Sequence, residues 1–268
     1  MNEIRFAVSG DLAAIRTIWS AVFTEDTVRD RDRFLQTVHL REECMVACAD
    51  GKPVSMAFFL PAVLHTDGDA YSTRYLYAAS TLPAYRGRGI FGELLHTALS
   101  VFKERGVAAC FLNPAQPSLI GYYRRFGFEP AFFCRTLSGI AQTAQLPFTP
   151  LSGAEYLSLR KTLLPRDHVE WNDRFLRYAV SYATPLRIGE KACVLFSRNE
   201  DVLRVIELLG VPSDQQTAVC SALASHQGCK RFEARVFSEI GECFGMLLPL
   251  SADTIPLNTA PYMGLAFD

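Results

Sequence analysis

Residues 74–106 read RYLYAASTLPAYRGRGIFGELLHTALSVFKERG, and the centre of that stretch, YRGRGIFG at 85–92, sets three glycines and two arginines between an apolar run and a helical one. Arg74 to Leu82 is aromatic and β-compatible and stops at Pro83, which cannot donate to a ladder. From Ile90 onward Leu94, Leu95, Ala98, Leu99 and Phe102 recur at helical spacing, with Gly106 as a stop. The spacing predicts strand, glycine loop, helix. Gly87 and Gly89 permit positive φ and close backbone approach, so amide N–H groups at the helix start can converge on phosphate oxygens. Charge-assisted hydrogen bonds contribute roughly 1.5–3 kcal/mol each, against roughly 0.3–1 kcal/mol for the helix dipole, so backbone geometry would dominate such a cradle. The run has neither the Gly-Lys-Ser/Thr of a nucleotide P-loop nor the GxGxxG of a dinucleotide fold. A glycine-rich turn with solvated arginines is the plain alternative, and the flanking sequence decides between them.

The flank is VAACFLNP at 107–114, strand-like, followed by PSLIGYYRRFGFEP at 117–130, a short helix with paired tyrosines that ends at Gly127. Together the two segments resemble the GNAT superfamily of acyl-CoA-dependent N-acyltransferases. The pyrophosphate loop of that family reads Arg/Gln-x-x-Gly-x-Gly/Ala, and a later helix carries Tyr-x-x-x-Gly-Phe. Arg86, Gly89 and Phe91 fall on the first pattern, and Tyr123, Gly127 and Phe128 on the second. Phe91 stands where the family usually has Gly or Ala, with Gly92 directly after it.

The order of elements supports the resemblance over residues 1–138. Ile4 to Val8 reads as a strand, Leu12 to Phe23 as a helix with Ile15, Ile18 and Trp19 inward, and Thr27 to His39 as a second helix. Cys44 to Ala49 and Val54 to Leu64 flank Asp50-Gly51-Lys52 as a hairpin. The fold class is α/β with a mixed sheet. Residues 1–140 are expected to form a catalytic GNAT domain and 151–268 a second, smaller GNAT-like domain without a cofactor loop, joined through the uncharged IAQTAQLPFTP at 140–150. In the second half, Glu155–Leu164, Val169–Tyr182 and Ser213–His226 read as helices. Segments 192–197, 202–209, 230–237 and 246–250 read as strands. The whole chain is most similar to the tandem-domain branch that includes the enhanced-intracellular-survival aminoglycoside acetyltransferases, and GYYRRFGFEPA at 121–131 is the best local match. That branch carries a third, sterol-carrier-like domain that 268 residues are too few to include.

With 27 basic and 28 acidic residues the net charge is −1, and there is no basic patch of the size duplex binding needs, so no nucleic-acid partner is implied. No apolar run is long enough to span a bilayer and no secretory leader is visible, so a soluble, cytoplasmic protein without a membrane partner is expected. The eight cysteines contain no CxxC pair and the five histidines no ligand spacing; buried thiols and no metal are expected.

The chemistry implied is transfer of an acetyl group from acetyl-CoA to a primary amine, of a small molecule or peptide, in a ternary complex. A non-catalytic acyl-CoA sensor is the alternative, and the oligomeric state is not encoded legibly. A tyrosine near pKa 10 suits protonation of a thiolate near 8.5, and the resemblance places that role on Tyr123; Tyr122 points about 100° away around the helix. The resemblance also implies that Ala79, Ser80 and Thr81 pair with pantetheine and polarise the carbonyl, and that Arg86, Gly87, Arg88, Gly89, Ile90, Phe91 and Gly92 hold the diphosphate. Asn113 and Ser118 are further cofactor or substrate candidates, with capping as the alternative for Ser118. Glu25 and Asp26, with Asp30 near them, are candidates to bind or deprotonate a cationic acceptor, or else form an exposed charged turn. In the tandem branch the terminal carboxylate, here Asp268, enters the site. Cys110, mid-strand and without a neighbouring base, does not suggest a covalent intermediate.

Overall fold

The structure, a computed structural model, describes residues 3–251 and 255–266. The first half runs β1 (Glu3–Phe6), α1 (Leu12–Val22), α2 (Val28–Thr37), α3 (Leu40–Glu43), β2 (Cys44–Ala49), β3 (Lys52–Thr66), β4 (Asp69–Thr81), α4 (Ile90–Glu104), β5 (Ala109–Leu112), α5 (Ile120–Arg124) and β6 (Glu129–Ile140). Strand alternation on β3 divides its side chains between two cores. Phe58 and Leu60 pack with Trp19 of α1 and Phe34 of α2, whereas Ala57 and Phe59 pack with Leu94, Leu95 and Phe102 of α4. Each large side chain buried in this way contributes roughly 1.5–3 kcal/mol. The first helix of each layer is placed by its apolar stripe: Ile15, Ile18 and Trp19 on α1, and Ile90, Leu94, Leu95, Ala98, Leu99 and Phe102 on α4. The start of α2 is fixed by Thr27, whose hydroxyl oxygen accepts from the Asp30 amide at 3.1 Å.

The second half runs β7 (Phe148–Pro150), α6 (Gly153–Leu163), β8 (His168–Trp171), α7 (Asp173–Val180), β9 (Thr184–Ile188), β10 (Ala192–Asn199), β11 (Val202–Leu209), α8 (Gln216–His226), β12 (Arg231–Phe237) and β13 (Glu242–Pro249). The parallel unit β11–α8–β12 repeats the topology of β4–α4–β5, but its strand-to-helix connection reads GVPSDQ, without the arginine–glycine alternation. The helix expected over Val169–Tyr182 is corrected to a strand followed by a shorter helix. Val169 and Trp171 alternate inward on β8, which pairs with β3, and the Asn172 side chain accepts from the Arg174 amide at 3.0 Å and caps α7.

All the described strands join one mixed sheet in the order β1-β2-β3-β4-β5-β13-β6-β12-β11-β10-β9-β7, with β8 added to β3. β13 is threaded between β5 and β6: Leu247 faces Phe111 on one side and Glu129 on the other. The last strand of the second half thereby completes the sheet of the first. Behind it, a buried network ties three segments together. Arg160 of α6 donates to both carboxylate oxygens of Glu207 on β11 at 2.8 and 3.0 Å, and the hydroxyls of Tyr156 and Tyr262 donate to the same carboxylate.

Candidate active site

The site begins with a mismatch of strand lengths. β5 pairs in parallel with β4 over Thr73–Leu76 and stops at Leu112, while β4 continues to Thr81. A wedge therefore opens between them beyond Leu76. On its other edge, β4 slips register against β3 between the pairs Met56↔Ser80 and Phe58↔Tyr77, so Ala78 and Ala79 oppose a single residue. Ala78 adopts φ 48° there. Such a bulge re-aims the backbone, and a non-glycine residue in this region is held against roughly 1–3 kcal/mol of strain by its surroundings. Sequence reading missed Ala78 because alanine carries no turn signal.

The glycine loop closes the open end of the wedge. Pro83–Tyr85 forms a short 3-10 turn, Gly87 has φ 75°, and Gly89 caps α4 at φ 76°. The Glu93 amide makes the first helical bond, to Gly89 O at 3.0 Å. Helix geometry leaves the N–H groups of Ile90, Phe91 and Gly92 without intrahelical acceptors. No atom lies within 4 Å of where a Cβ would stand on Gly87 or Gly89, so the space above the loop is open to a ligand. The arginines brace the loop: Arg86 Nε donates to Thr81 O at 3.1 Å, and Arg88 donates to Ala84 O at 2.9 Å with its guanidinium 5.2 Å over the Tyr85 ring. Phe91 leans onto Tyr122, ring centroids 6.3 Å apart, and walls the opening without filling it.

Wedge, loop and α5 enclose a cleft of about 740 Å³. Of the residues singled out in the sequence, Ala79, Ser80, Thr81, Arg86, Gly87, Gly89, Ile90, Phe91, Gly92 and Tyr123 line it. Arg88, Asn113 and Ser118 are not among its lining residues. The Asn113 amide instead faces Phe244 O of β13, to which its nitrogen donates at 2.8 Å when the amide is turned to satisfy its neighbours, and Ser118 sits in the turn Pro117–Leu119. The lining also includes Val22, Tyr85, Leu119, Tyr122, Arg125 and Phe126, which the sequence reading did not assign to the site. For Phe126 the signal was its place in the YYRRFGF run. For Val22 on α1 there was none, because contact across the sheet end is not encoded locally. Tyr123 is 9% exposed, and burial first, then Tyr122, raises its phenol pKa. It is therefore protonated at neutral pH. Burial also holds the Cys110 thiol protonated on β5.

A second cleft, about 230 Å³, adjoins the same two elements from the other side of Ala78. Tyr77 and Ala79 flank Ala78, and Trp19 and Val22 are three residues apart on α1; the first of each pair lines the small cleft and the second the large one. Glu25, Asp26 and Asp30 stand at the small cleft with Tyr178 and Tyr182. Trp19 Nε1 donates to Asp26 Oδ2 at 2.8 Å. Tyr178 lies on α7 of the second half, and its phenol is pushed up to about 12, by burial first and then by Asp26 and Asp30. Arg174 docks α7, donating to Thr37 O and to Glu43 Oε1, each at 2.5 Å. The acidic pair read from the sequence is thus brought to a cavity; Asp268 lies outside the described residues.

Residues 3–131 match the family model of the acetyltransferase (GNAT) domain. This segment is a GNAT domain. It contains the bulged β4, the glycine loop and the Tyr123 helix, and its enzyme class is acyl-CoA-dependent N-acyltransferase. The whole chain is similar in fold to a GCN5-related N-acetyltransferase of Anabaena variabilis, with TM-score 0.72, 17% identity, and coverage of 94% of this chain and 73% of that one. A GCN5-related N-acetyltransferase of Kribbella flavida gives TM-score 0.71 at 15% identity, covering 93% and 72%. Eis1 of Mycobacterium abscessus gives TM-score 0.65 at 15% identity, covering 87% of this chain and 65% of its own length. No curated protein matches the sequence. Among the described residues, no helix is long and apolar enough to cross a membrane.

Proposed function

We propose that the protein transfers an acetyl group from acetyl-CoA directly to a primary amine, with the GNAT domain within residues 1–140 as the catalytic unit and 151–268 as a GNAT-like unit without a cofactor loop. The observation that carries this reading is the pairing of clefts about Ala78: Ala79 and Val22 line a long cleft ending on a glycine cradle, and Tyr77 and Trp19, on the same two elements, line a short acidic one. Diphosphate oxygens would accept from the amides at the start of α4, and pantetheine would lie in the wedge beside Ala79, Ser80 and Thr81, bringing the thioester carbonyl to the bulge. The amine enters from the acidic cleft as a cation attracted by Glu25 and Asp26 and gives one proton to solvent before it attacks as the neutral base. Its nitrogen forms a bond to the carbonyl carbon, and the π electrons move to oxygen and return as the C–S bond breaks. The CoA thiolate takes the proton of Tyr123, and the phenolate is reprotonated with the proton the nitrogen gives up through solvent. The products are the N-acetylamine and free CoA. Burial keeps Tyr123 in the neutral form that can donate but also makes it a weaker acid than a free phenol, so the proton moves only as charge develops on sulfur while the C–S bond breaks. The protonated, buried Cys110 supports direct transfer over an acetylated enzyme.

Calorimetric titration with acetyl-CoA and CoA, alongside Gly89→Trp, tests the cradle: micromolar binding by the wild type and none by the variant is expected. On an amine panel, Tyr123→Phe is expected to lower kcat about 100-fold with an unchanged acetyl-CoA Kd. Binding without turnover of any amine would leave an acyl-CoA-binding module, and absence of binding would end the reading altogether.

A further inference from the structure

The small cleft has a composition that a merely acidic turn does not need. Four aromatic side chains border it: Trp19 and Tyr77 from the first half, Tyr178 and Tyr182 from the second. They are set at steep mutual angles, Trp19 to Tyr77 at 63° and Tyr178 to Tyr182 at 64°, so ring faces and edges bound the space on more than one side. Phe34 lies behind them and holds both halves together, 5.0 Å from Tyr77 and 5.7 Å from Tyr178 by ring centroid. Glu25 and Asp26 are exposed at the cleft, and Trp19 fixes one Asp26 oxygen. A nearby cation, Arg33, points to Ser181, donating to its carbonyl at 3.4 Å and its hydroxyl oxygen at 3.3 Å, and its charge still reaches Tyr178. Aromatic faces together with carboxylates suit an organic cation, because the ring quadrupole and the negative charge both favour it and neither demands directional bonds.

We propose that this box holds the distal ammonium of an aliphatic diamine while its other amine, uncharged, reaches the bulge at Ala78. The inference rests on the acetyltransfer reading and deepens it. It resolves a conflict within that reading: carboxylates that attract an acceptor also keep its amine protonated, whereas attack needs a neutral nitrogen. A second cation on the same molecule separates the two demands. The cleft volume, about 230 Å³, equals that of roughly eight waters at about 30 Å³ each, which suits the end of a small aliphatic amine rather than a fused or multi-ring polycation. Tyr178 and Tyr182 then make the second half part of the acceptor site.

The test compares pentane-1,5-diamine with pentan-1-amine, in turnover and in binding read by quenching of tryptophan fluorescence, Trp19 lying at the cleft and Trp171 being buried away from its lining. The wild type is expected to favour the diamine about 30-fold in kcat/KM, the scale of a desolvated cation–π contact, and to show saturable quenching by the diamine. In Tyr182→Ala and in Asp26→Asn the preference should fall toward unity and the quenching weaken about tenfold, while acetyl-CoA titration reports that each variant is folded. Equal use of the two amines, or absence of quenching by the diamine, overturns the box even if acetyl-CoA binds and amines are turned over. Loss of acetyl-CoA binding in the wild type would instead strike the acetyltransfer reading, and the quenching experiment would still decide whether the box takes a dication.

Discussion

Replacing Glu207 with glutamine tests whether the second half is anchored as the buried network indicates. The side chains of Arg160 and Glu207 are 3% and 1% exposed, so neither charge has water to fall back on. A glutamine side chain would keep the shape but not the charge, leaving the guanidinium buried without a counter-ion and Tyr156 and Tyr262 with a weaker acceptor. Removing one partner of a buried pair costs about 3–5 kcal/mol. At roughly 2–4 °C per kcal/mol for a chain of this size, thermal unfolding should move down by about 6–20 °C. Differential scanning calorimetry measures this, and limited proteolysis should show faster cleavage in the segment around Tyr262, which loses its anchor. A double change, Arg160→Met with Glu207→Leu, removes both charges and should recover part of the loss, held back by about 1–3 kcal/mol for each tyrosine hydroxyl left unpaired. A Glu207→Gln midpoint within about 2 °C of wild type would refute the reasoning, because an uncompensated buried guanidinium cannot be that cheap.

Three further outcomes follow from other sites. Arg174→Ala should lose about 2–3 kcal/mol, since Glu43 is 3% exposed and loses its counter-ion, and steady-state kinetics should show a raised acceptor KM, with acetyl-CoA affinity kept, as α7 and Tyr178 loosen. Asp11 has a pKa lowered by the hydrogen bond from Arg5 first, so its stabilisation is present above the unfolded value near 3.9 and disappears as pH falls through the lower folded value; melting curves of wild type and Asp11→Asn should differ at pH 7, begin to approach each other only near the unfolded value of about 3.9 and coincide below the lowered folded value. Burial pushes the thiols of Cys193 and Cys220 up to about 12, so a thiol-specific chromogenic disulfide should label the native protein slowly, at half-buried Cys243 first, and label all eight cysteines of the denatured chain. Rapid labelling of several thiols in the native protein would contradict that burial.

Much of the GNAT domain was legible because its signals are local. The apolar period of α4, the stop at Pro83 and the Asp50-Gly51 turn each act within a few residues, and each element appears where that period and punctuation put it. β8 was hidden in a segment that reads helically from 169 to 182; the Asn172 cap was the signal that a new element starts there, and it is a single residue against a longer periodic pattern. The neighbours of β13 were not legible at all. A strand's alternation states which face is buried but not which strand lies beside it, so the placing of Leu247 between Phe111 and Glu129 emerges only when the whole sheet is assembled. The candidate site divides in the same way. The glycine loop and Tyr123 carry family spacing, whereas the small cleft joins Asp26 to Tyr178 and Tyr182 from about 150 residues further on, a distance over which sequence pattern carries no contact information.

The threading of β13 sets a timetable for synthesis. Residues 141–241 separate the end of β6 from the start of β13, and a ribosome adding about 5–20 residues per second needs roughly 5–20 s to cross them. Throughout that interval β5 and β6 have emerged in sequence but the strand that belongs between them does not yet exist, so each presents an open ladder edge of the kind that recruits foreign strands. A nascent chain in that state is a client for chaperones that cover strand edges. A message cut short before codon 242 would yield a polypeptide with the entire glycine loop and Tyr123 but an unfinished sheet, and quality control would meet it before any acyl donor did.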